Sequence, residues 1–300
     1  MAGRPRFSRK PLKRLRQIAY LCCHPISHFR CAAAIRNSRM AYDAATSLKY
    51  LGDHLALSLR PQQRRRALAS HYTIFPAVLR LSARKALPQG LPIWRKNVGP
   101  GAALSITLEK STLAPMEGEL QLRFSYKSNL CVLTFLLASG EVFGAGHSSV
   151  LFVGGLQGFM GAREEVREAA RLNGEIAPSA MLLLAVQAIG RACGVGEIIG
   201  IAEDDHISLG YARSKVIFDY RRIWNEAGGV RRGLHYGIPF EAARKPLNET
   251  SRSHRSRTRR KREAKHRLRR SIDLRVRQLI STPANATLMS AMGRKLPLAR

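Results

Sequence analysis

Positive charge is segregated along this chain, and the segregation limits what it can fold into. Over 300 residues the formal net charge is +31. Residues 1–40 hold ten Lys/Arg and no acid, and residues 41–140 hold thirteen basic against five acidic side chains. Residues 141–230 reverse the balance with eight against eleven, and residues 231–300 carry twenty against four. A chain cationic throughout would resist collapse by self-repulsion, whereas a near-neutral centre does not. The pattern predicts a folded middle with basic appendages. Hydrophobic residues make up 45% of the chain, enough for a sizeable core. We therefore expect a basic, flexible arm over residues 1–40, one α+β domain with a helical lead-in over 41–245, a basic amphipathic helix over 246–282 and a tail over 283–300.

No uninterrupted apolar stretch reaches the roughly 18 residues that span a bilayer. The run from Met1 to Arg16 resembles the charged start of a secretory signal, but the apolar segment after it ends at Cys23, before His24-Pro25. A signal needs a longer apolar core. Five cysteines, an odd number in a long chain, fit a reducing cytoplasm better than a disulfide framework. A cytoplasmic location is the expectation. Cys22, Cys23, His24, His28 and Cys31 are crowded too closely to wrap a tetrahedral ion, so no metal site is expected. A serine elbow, a phosphate-binding Walker loop and an H-E-x-x-H pair are all missing from the sequence.

Hydrophobic periodicity divides the middle. Leu48, Leu51, Leu55 and Leu59 recur at helical steps before Pro61, and Arg64 to Leu81 reads as a second helix. Pro88, Gly90 and Pro92 read as a loop. Leu104, Ile106 and Leu108 then alternate as in a half-buried strand, as do Leu120, Leu122, Phe124 and Tyr126. Lys127-Ser128-Asn129 supplies a turn into an apolar strand over 130–137, and Val150 to Val153 is a further strand. Sequential strands with short links predict an antiparallel meander. Helices follow from Arg163 to Asn173-Gly174 and from Pro178 to Cys193, the second apolar nearly all round and therefore buried. Ile198 to Ala202 is a short strand of the same sheet. The fold class is α+β, an antiparallel or mixed sheet with packed helices.

The order of short motifs carries a resemblance. Glu117-Gly118-Glu119-Leu120-Gln121-Leu122, Leu133-Thr134-Phe135 and Val153-Gly154-Gly155-Leu156-Gln157-Gly158 come first. Pro178 with its apolar helix, Gly200-Ile201-Ala202, His206, Asp219-Tyr220, Trp224 and Gly228-Gly229 follow. Together they resemble the VirK/YbjX family of Gram-negative bacteria over about residues 60–275. One departure is Arg221, where the family pattern has an acid. The resemblance implies a cytoplasmic accessory protein linked to virulence and to stress or DNA-damage responses, with no agreed chemistry; no cofactor is expected, with acyl-CoA as the alternative.

Two clusters could carry chemistry. Gly154, Gly155, Gln157, Gly158 and Gly161 lie where a strand runs into a helix, and such glycines allow a ligand close to the backbone while the helix start offers N–H groups to an anion. The stretch is similar to the turn of acyl-CoA-dependent acyltransferases of the GNAT type, with one residue too many between Gln157 and Gly161. A tight turn whose glycines serve packing is the competing reading. In Glu203-Asp204-Asp205-His206, Asp205 and His206 could form a general base or hold a metal. Three adjacent carboxylates cannot converge from one extended segment, which favours a solvated loop. Tyr220 and Trp224, four apart, read as a core stripe, and Asp219 as a partner for Arg222 or the final helix.

The final helix is the strongest physical signal. Ala264, Leu268, Ile272, Val276 and Leu279 form an apolar stripe on an otherwise cationic segment. Arg259, Arg260, Arg262, Lys265, Arg267, Arg269 and Arg270 could contact nucleic acid phosphates, or the stripe could enter an anionic membrane surface. Because the resemblance includes a basic final helix, the favoured reading is that the stripe docks on the domain while the charges face water.

Overall fold

The computed structural model describes residues 10–40, 42–211, 219–242 and 252–281. Its helices are α1 (Lys10–Cys23), α2 (Pro25–Asn37), α3 (Pro61–Val78), α4 (Leu81–Ala86), α5 (Arg163–Leu172), α6 (Pro178–Ala192), α7 (Ser208–Tyr211), α8 (Tyr220–Glu226) and α9 (Arg252–Leu279). Its strands are β1 (Leu91–Gly99), β2 (Ala102–Lys110), β3 (Leu120–Tyr126), β4 (Ser128–Ser139), β5 (Ser149–Gly158), β6 (Glu197–Ile201), β7 (Val230–Arg232) and β8 (His235–Ile238). They form one sheet in the order β1-β2-β3-β4-β5-β6-β8-β7. The fold is α+β, with a mixed sheet.

From β1 to β5 neighbouring strands are antiparallel and follow chain order, as the alternating sequence predicts. Lys127 makes the β3–β4 turn with φ 57°. The crossover through α5 and α6 then brings β6 beside β5 in parallel, pairing Val150 to Val153 with Glu197 to Gly200. A parallel partner needs such a helical crossover. Eight successive residues of β5 and nine of β4 are buried, so both faces of these strands are covered. Helices α3 and α6 both pack on β4. Helix α6 is buried on nearly every side and ends before Gly194, whose φ of 68° closes it.

Helix α9 docks. Leu268, Ile272, Val276 and Leu279 are buried, and the helix packs on α6 and on β1. Arg191 pairs with Asp273 at 2.6 Å, and Arg80 N–H donates to the Leu279 carbonyl at 2.9 Å. The stripe is thus buried against the protein's own core, as the docking reading expects.

Several expectations differ from the structure. Residues 25–37 are not a flexible arm: α2 packs on α3, with Cys31 and Ile35 buried. The leucines at 48–59 do not make one α-helix, because a 3₁₀ turn over Ala44–Leu51 runs into Gly52 and then Leu55 at φ 70°. The stretch read as a loop at Pro92 is inside β1. As an edge strand, β1 tolerates a proline that donates nothing to a ladder. The tail at 283–300 lies outside the described residues.

Candidate functional site

The segment between β2 and β3 lays two glutamates against the sheet in different directions. Gly118 makes this possible: a Cβ there would sit 2.7 Å from the Phe135 backbone nitrogen. Glu119 N–H donates to the Phe135 carbonyl at 3.1 Å, fastening the segment to β4. Glu117 points at the end of β5 and Glu119 into a pocket of helix α3.

Around Glu117 the polar contacts are dense. Gln157 Nε2 donates to Oε1 at 2.6 Å and Thr134 Oγ1 to Oε2 at 3.1 Å. His206 Nε2 lies 3.5 Å from Oε1 and 3.2 Å from the Tyr220 hydroxyl. That hydroxyl accepts from Leu156 N–H at 3.0 Å. Ser208 N–H donates to His206 Nδ1 at 3.2 Å, which leaves the proton of the neutral ring on Nε2, facing Glu117 and Tyr220. The result is a buried carboxyl–imidazole–phenol chain. Burial pushes the Glu117 carboxyl up to about 7, against the bonds from Gln157 and Thr134 that favour its charge. Burial likewise pushes His206 down to about 4, opposed by the Gly154 carbonyl and the charge of Asp205. The ring is neutral near pH 7 while the carboxyl is poised between its two forms.

The chain sits at one place in the topology. The β5–β6 ladder ends at Val153 and Gly200, and Gly154 is bulged out of the β4 register between Thr134 and Phe135. Beyond that point β5 stays paired with β4 as far as Gly158 but no longer with β6 on its other side. Tyr220 takes up the ladder donor of Leu156, and Trp224 Nε1 donates to the Ile201 carbonyl at 2.7 Å. Helix α8 therefore closes the gap between the carboxyl ends of the two parallel strands.

The glycines read from the sequence divide into two groups. A Cβ on Gly154 would lie 1.9 Å from the Glu117 carbonyl oxygen, and one on Gly155 would lie 1.7 Å from Glu117 Oε2. These two admit Glu117 to the strand, and a ligand cannot approach them from that side, a correction to the cradle reading. Gly158 is exposed, and Gly161 turns into α5 at φ 82° with open space where a side chain would be. Gln157 faces inward to Glu117.

The acidic run is dispersed. Asp205 is buried and accepts from Ser58 N–H and Ser58 Oγ, both at 2.7 Å, so it tethers the segment before α3 and does not orient His206. Asp204 pairs with Arg231 at 2.6 Å on the surface. Asp219 accepts from the backbone N–H of Arg222 at 2.9 Å, capping α8, and pairs with no guanidinium among the described residues. Tyr220 and Trp224 are both buried, as their spacing predicts, but Tyr220 also serves the polar chain. Sequence reading missed Glu117, Thr134 and Tyr220 as site residues. The one signal was Glu-Gly-Glu directly before a strand.

Glu119 forms the second polar centre. Lys49 Nζ, His54 Nε2 and the Tyr72 hydroxyl reach it at 3.0, 3.2 and 2.7 Å. These partners hold its carboxyl well below the usual range despite full burial. With Tyr72, Arg84 and Lys110 it lines a cavity of about 160 Å³. That is small beside ligand sites of about 300–1,000 Å³.

Of the seven cations proposed on α9, Arg259 pairs with Glu263 and Arg269 with Glu241, and Arg262 and Lys265 are also engaged. Arg260, Arg267 and Arg270 are exposed with no acidic partner among the described residues. The cysteine–histidine cluster is spread out. His28 meets the Tyr50 hydroxyl at 3.0 Å, Cys31 is buried, and Cys22 and Cys23 are exposed.

Fold and site together define an α+β protein with a mixed sheet and an acid–imidazole–phenol chain at the carboxyl end of a parallel strand pair. The chain belongs to the family described as "Protein of unknown function (DUF535)", whose model matches residues 20–273. It is similar to the uncharacterized protein YbjX of Escherichia coli (strain K12), 26% identical over an alignment of 222 residues that covers 70% of this chain and 66% of that protein. The resemblance to the VirK/YbjX family is borne out. No solved structure matches. Among the described residues, no helix is long and apolar enough to cross a membrane.

Proposed function

We propose that this protein is an acyltransferase that takes its acyl group from an acyl-CoA thioester held at the carboxyl ends of β5 and β6. One observation carries the reading. The sheet changes there from sequential antiparallel pairing to a parallel crossover, and β5 outruns its partner from the Gly154 bulge onward. In open sheets of parallel strands, ligands bind outside the carboxyl ends where the topology switches. The groups gathered at this switch are a base, an imidazole and a phenol.

The residues present fit the arm of such a ligand better than its phosphates. Leu156 N–H is held by a side-chain hydroxyl and not by a strand. It is a donor that can exchange Tyr220 for the carbonyl of a bound amide. Gly158 and Gly161 leave backbone accessible ahead of α5. Glu164 and Glu165 occupy the first turn of that helix and repel a pyrophosphate, so the phosphate end contributes little. The thioester supplies an activated acyl carbon. Glu117, whose carboxyl titrates near neutrality, accepts the proton of an incoming amine or hydroxyl as it attacks the acyl carbon. The carbon–sulfur bond breaks, and the CoA thiolate takes that proton from Glu117 and leaves as the free thiol, with His206 3.5 Å away beside the carboxyl.

Binding to the native state raises the melting temperature by mass action, by about 2.7 kcal/mol of stability at one hundred times Kd. Acetyl-CoA titrated to millimolar concentration should therefore shift the melt upward, and an equal concentration of ATP should shift it less. A melt unmoved by acetyl-CoA would overturn the proposal. The cytoplasmic, virulence- or stress-linked setting that the family resemblance implies belongs to the same proposal, as the place where such a transfer would act.

A second reading, contact with nucleic acid, is favoured by the outward row of Arg260, Arg267 and Arg270 on α9. Such contact should weaken steeply with salt, and Arg267→Gln with Arg270→Gln should lower the slope of log affinity against log salt by roughly 2. An unchanged slope would reject it.

A further inference from the structure

Helices α1 and α2 carry an apolar stripe on the side that the protein leaves uncovered. Leu15, Ile18, Cys22, Ile26 and Phe29 are all exposed, Ile26 by 67% and Phe29 by 73%. Their spacing puts Leu15, Ile18 and Cys22 on one face of α1 and Ile26 and Phe29 on one face of α2, either side of the break at His24-Pro25. His24 joins the two helices: its N–H ends α1 on the Tyr20 carbonyl at 3.1 Å, and its carbonyl starts α2 by accepting from His28 N–H at 3.1 Å.

The other side of both helices is committed to the body. Tyr20 and His28 approach the Tyr50 ring with centroids 6.2 and 6.1 Å away. Gln17 Nε2 donates to the Leu51 carbonyl at 3.0 Å, and Cys31 and Ile35 are buried. Because both inward faces converge on Tyr50, both outward faces turn away from the core. A contiguous exposed apolar surface of this kind marks an interaction site.

Charge selects the occupant. Residues 1–40 contain ten Lys/Arg and no acid, and Arg30, Arg36 and Arg39 are exposed on or just beyond α2. A second copy of the chain would set these cations against each other. An anionic bilayer surface meets both demands, since the headgroups neutralise the cations while the acyl boundary takes up the stripe. We infer that α1 and α2 form a peripheral anchor that lies on an anionic lipid surface, with Leu15, Ile18, Cys22, Ile26 and Phe29 immersed in it. This is independent of the acyl-transfer reading and uses a different surface from α9.

The test is cosedimentation of the full chain with phosphatidylcholine vesicles, with and without phosphatidylglycerol. Binding should rise at least about tenfold with the anionic lipid. The double variant Ile26→Glu with Phe29→Glu should lose about tenfold of it while keeping its melting temperature, because both side chains are exposed. Arg267→Gln with Arg270→Gln on α9 should lose less. The inference is overturned if anionic vesicles bind no more protein than neutral ones, or if the apolar variant binds undiminished. It is also overturned if the α9 variant loses more than the apolar one.

Discussion

A methyl group on Gly155 would collide with Glu117 Oε2 and come within 2.8 Å of Thr134 Oγ1, whereas one on Gly154 would collide with the Glu117 backbone carbonyl. Both alanine substitutions should cost about 1–3 kcal/mol or more by overpacking. They should behave differently against Glu117→Ala: the cost of Gly155→Ala should largely vanish in that background, while Gly154→Ala should cost the same in either. A double-mutant cycle by denaturant unfolding checks this, and equal rescue of both would contradict the geometry. Glu117 also sets a pH dependence. Its carboxyl is raised in the folded state, so its contribution is intact below the unfolded value of 4.5 and is lost as pH rises toward about 7. The loss is on the order of 3 kcal/mol. Glu117→Gln stays neutral and should gain stability relative to the wild type between about pH 5 and pH 8, and parallel stability curves would refute the shift. His206 works in the opposite sense: buried and neutral, with its value pushed down to about 4, it costs stability as pH falls below 6.5. Glu117 was legible only as part of a family motif, because nothing in one sequence tells that Gly154 and Gly155 are vacated for a side chain 37 or 38 positions earlier.

Elements whose burial follows a simple period were readable, and those held by tertiary context were not. Strands β2, β3 and β4 alternate or run apolar, and α6 is apolar all round with a proline at its start and Gly194 at its end. Strand β7 has three exposed residues and offers no alternation to find, and the turn at Gly233 with φ 62° brings back β8 after only two residues. The leucines before Pro61 kept a helical step, yet Gly52 and the left-handed Leu55 break the path. The stripe of α9 was visible, and the structure decides what covers it. Ile272→Ala should cost about 2–5 kcal/mol, since the side chain is fully buried, whereas Leu274→Ala, 58% exposed, should stay within about 0.5 kcal/mol. Equal effects in thermal or denaturant melts would mean that α9 does not dock in solution.

At the scale of the molecule, charge segregation gave no sign that α2 and α9 would join the core. Cationic helices can dock because their apolar sides are buried while the cations remain in water or pair, as Arg191 does with Asp273 and Arg269 with Glu241. The sheet then brings Glu117, Gln157, His206 and Tyr220 to one point from four separate stretches, a convergence that no local pattern encodes. Whether that point takes an acyl thioester is tested most directly by amide hydrogen exchange of the full chain with and without saturating acetyl-CoA. Protection should rise in the stretch from Leu156 to Arg163 and around His206, where the ligand arm replaces Tyr220. Protection confined to α9, or none at all, would contradict the account.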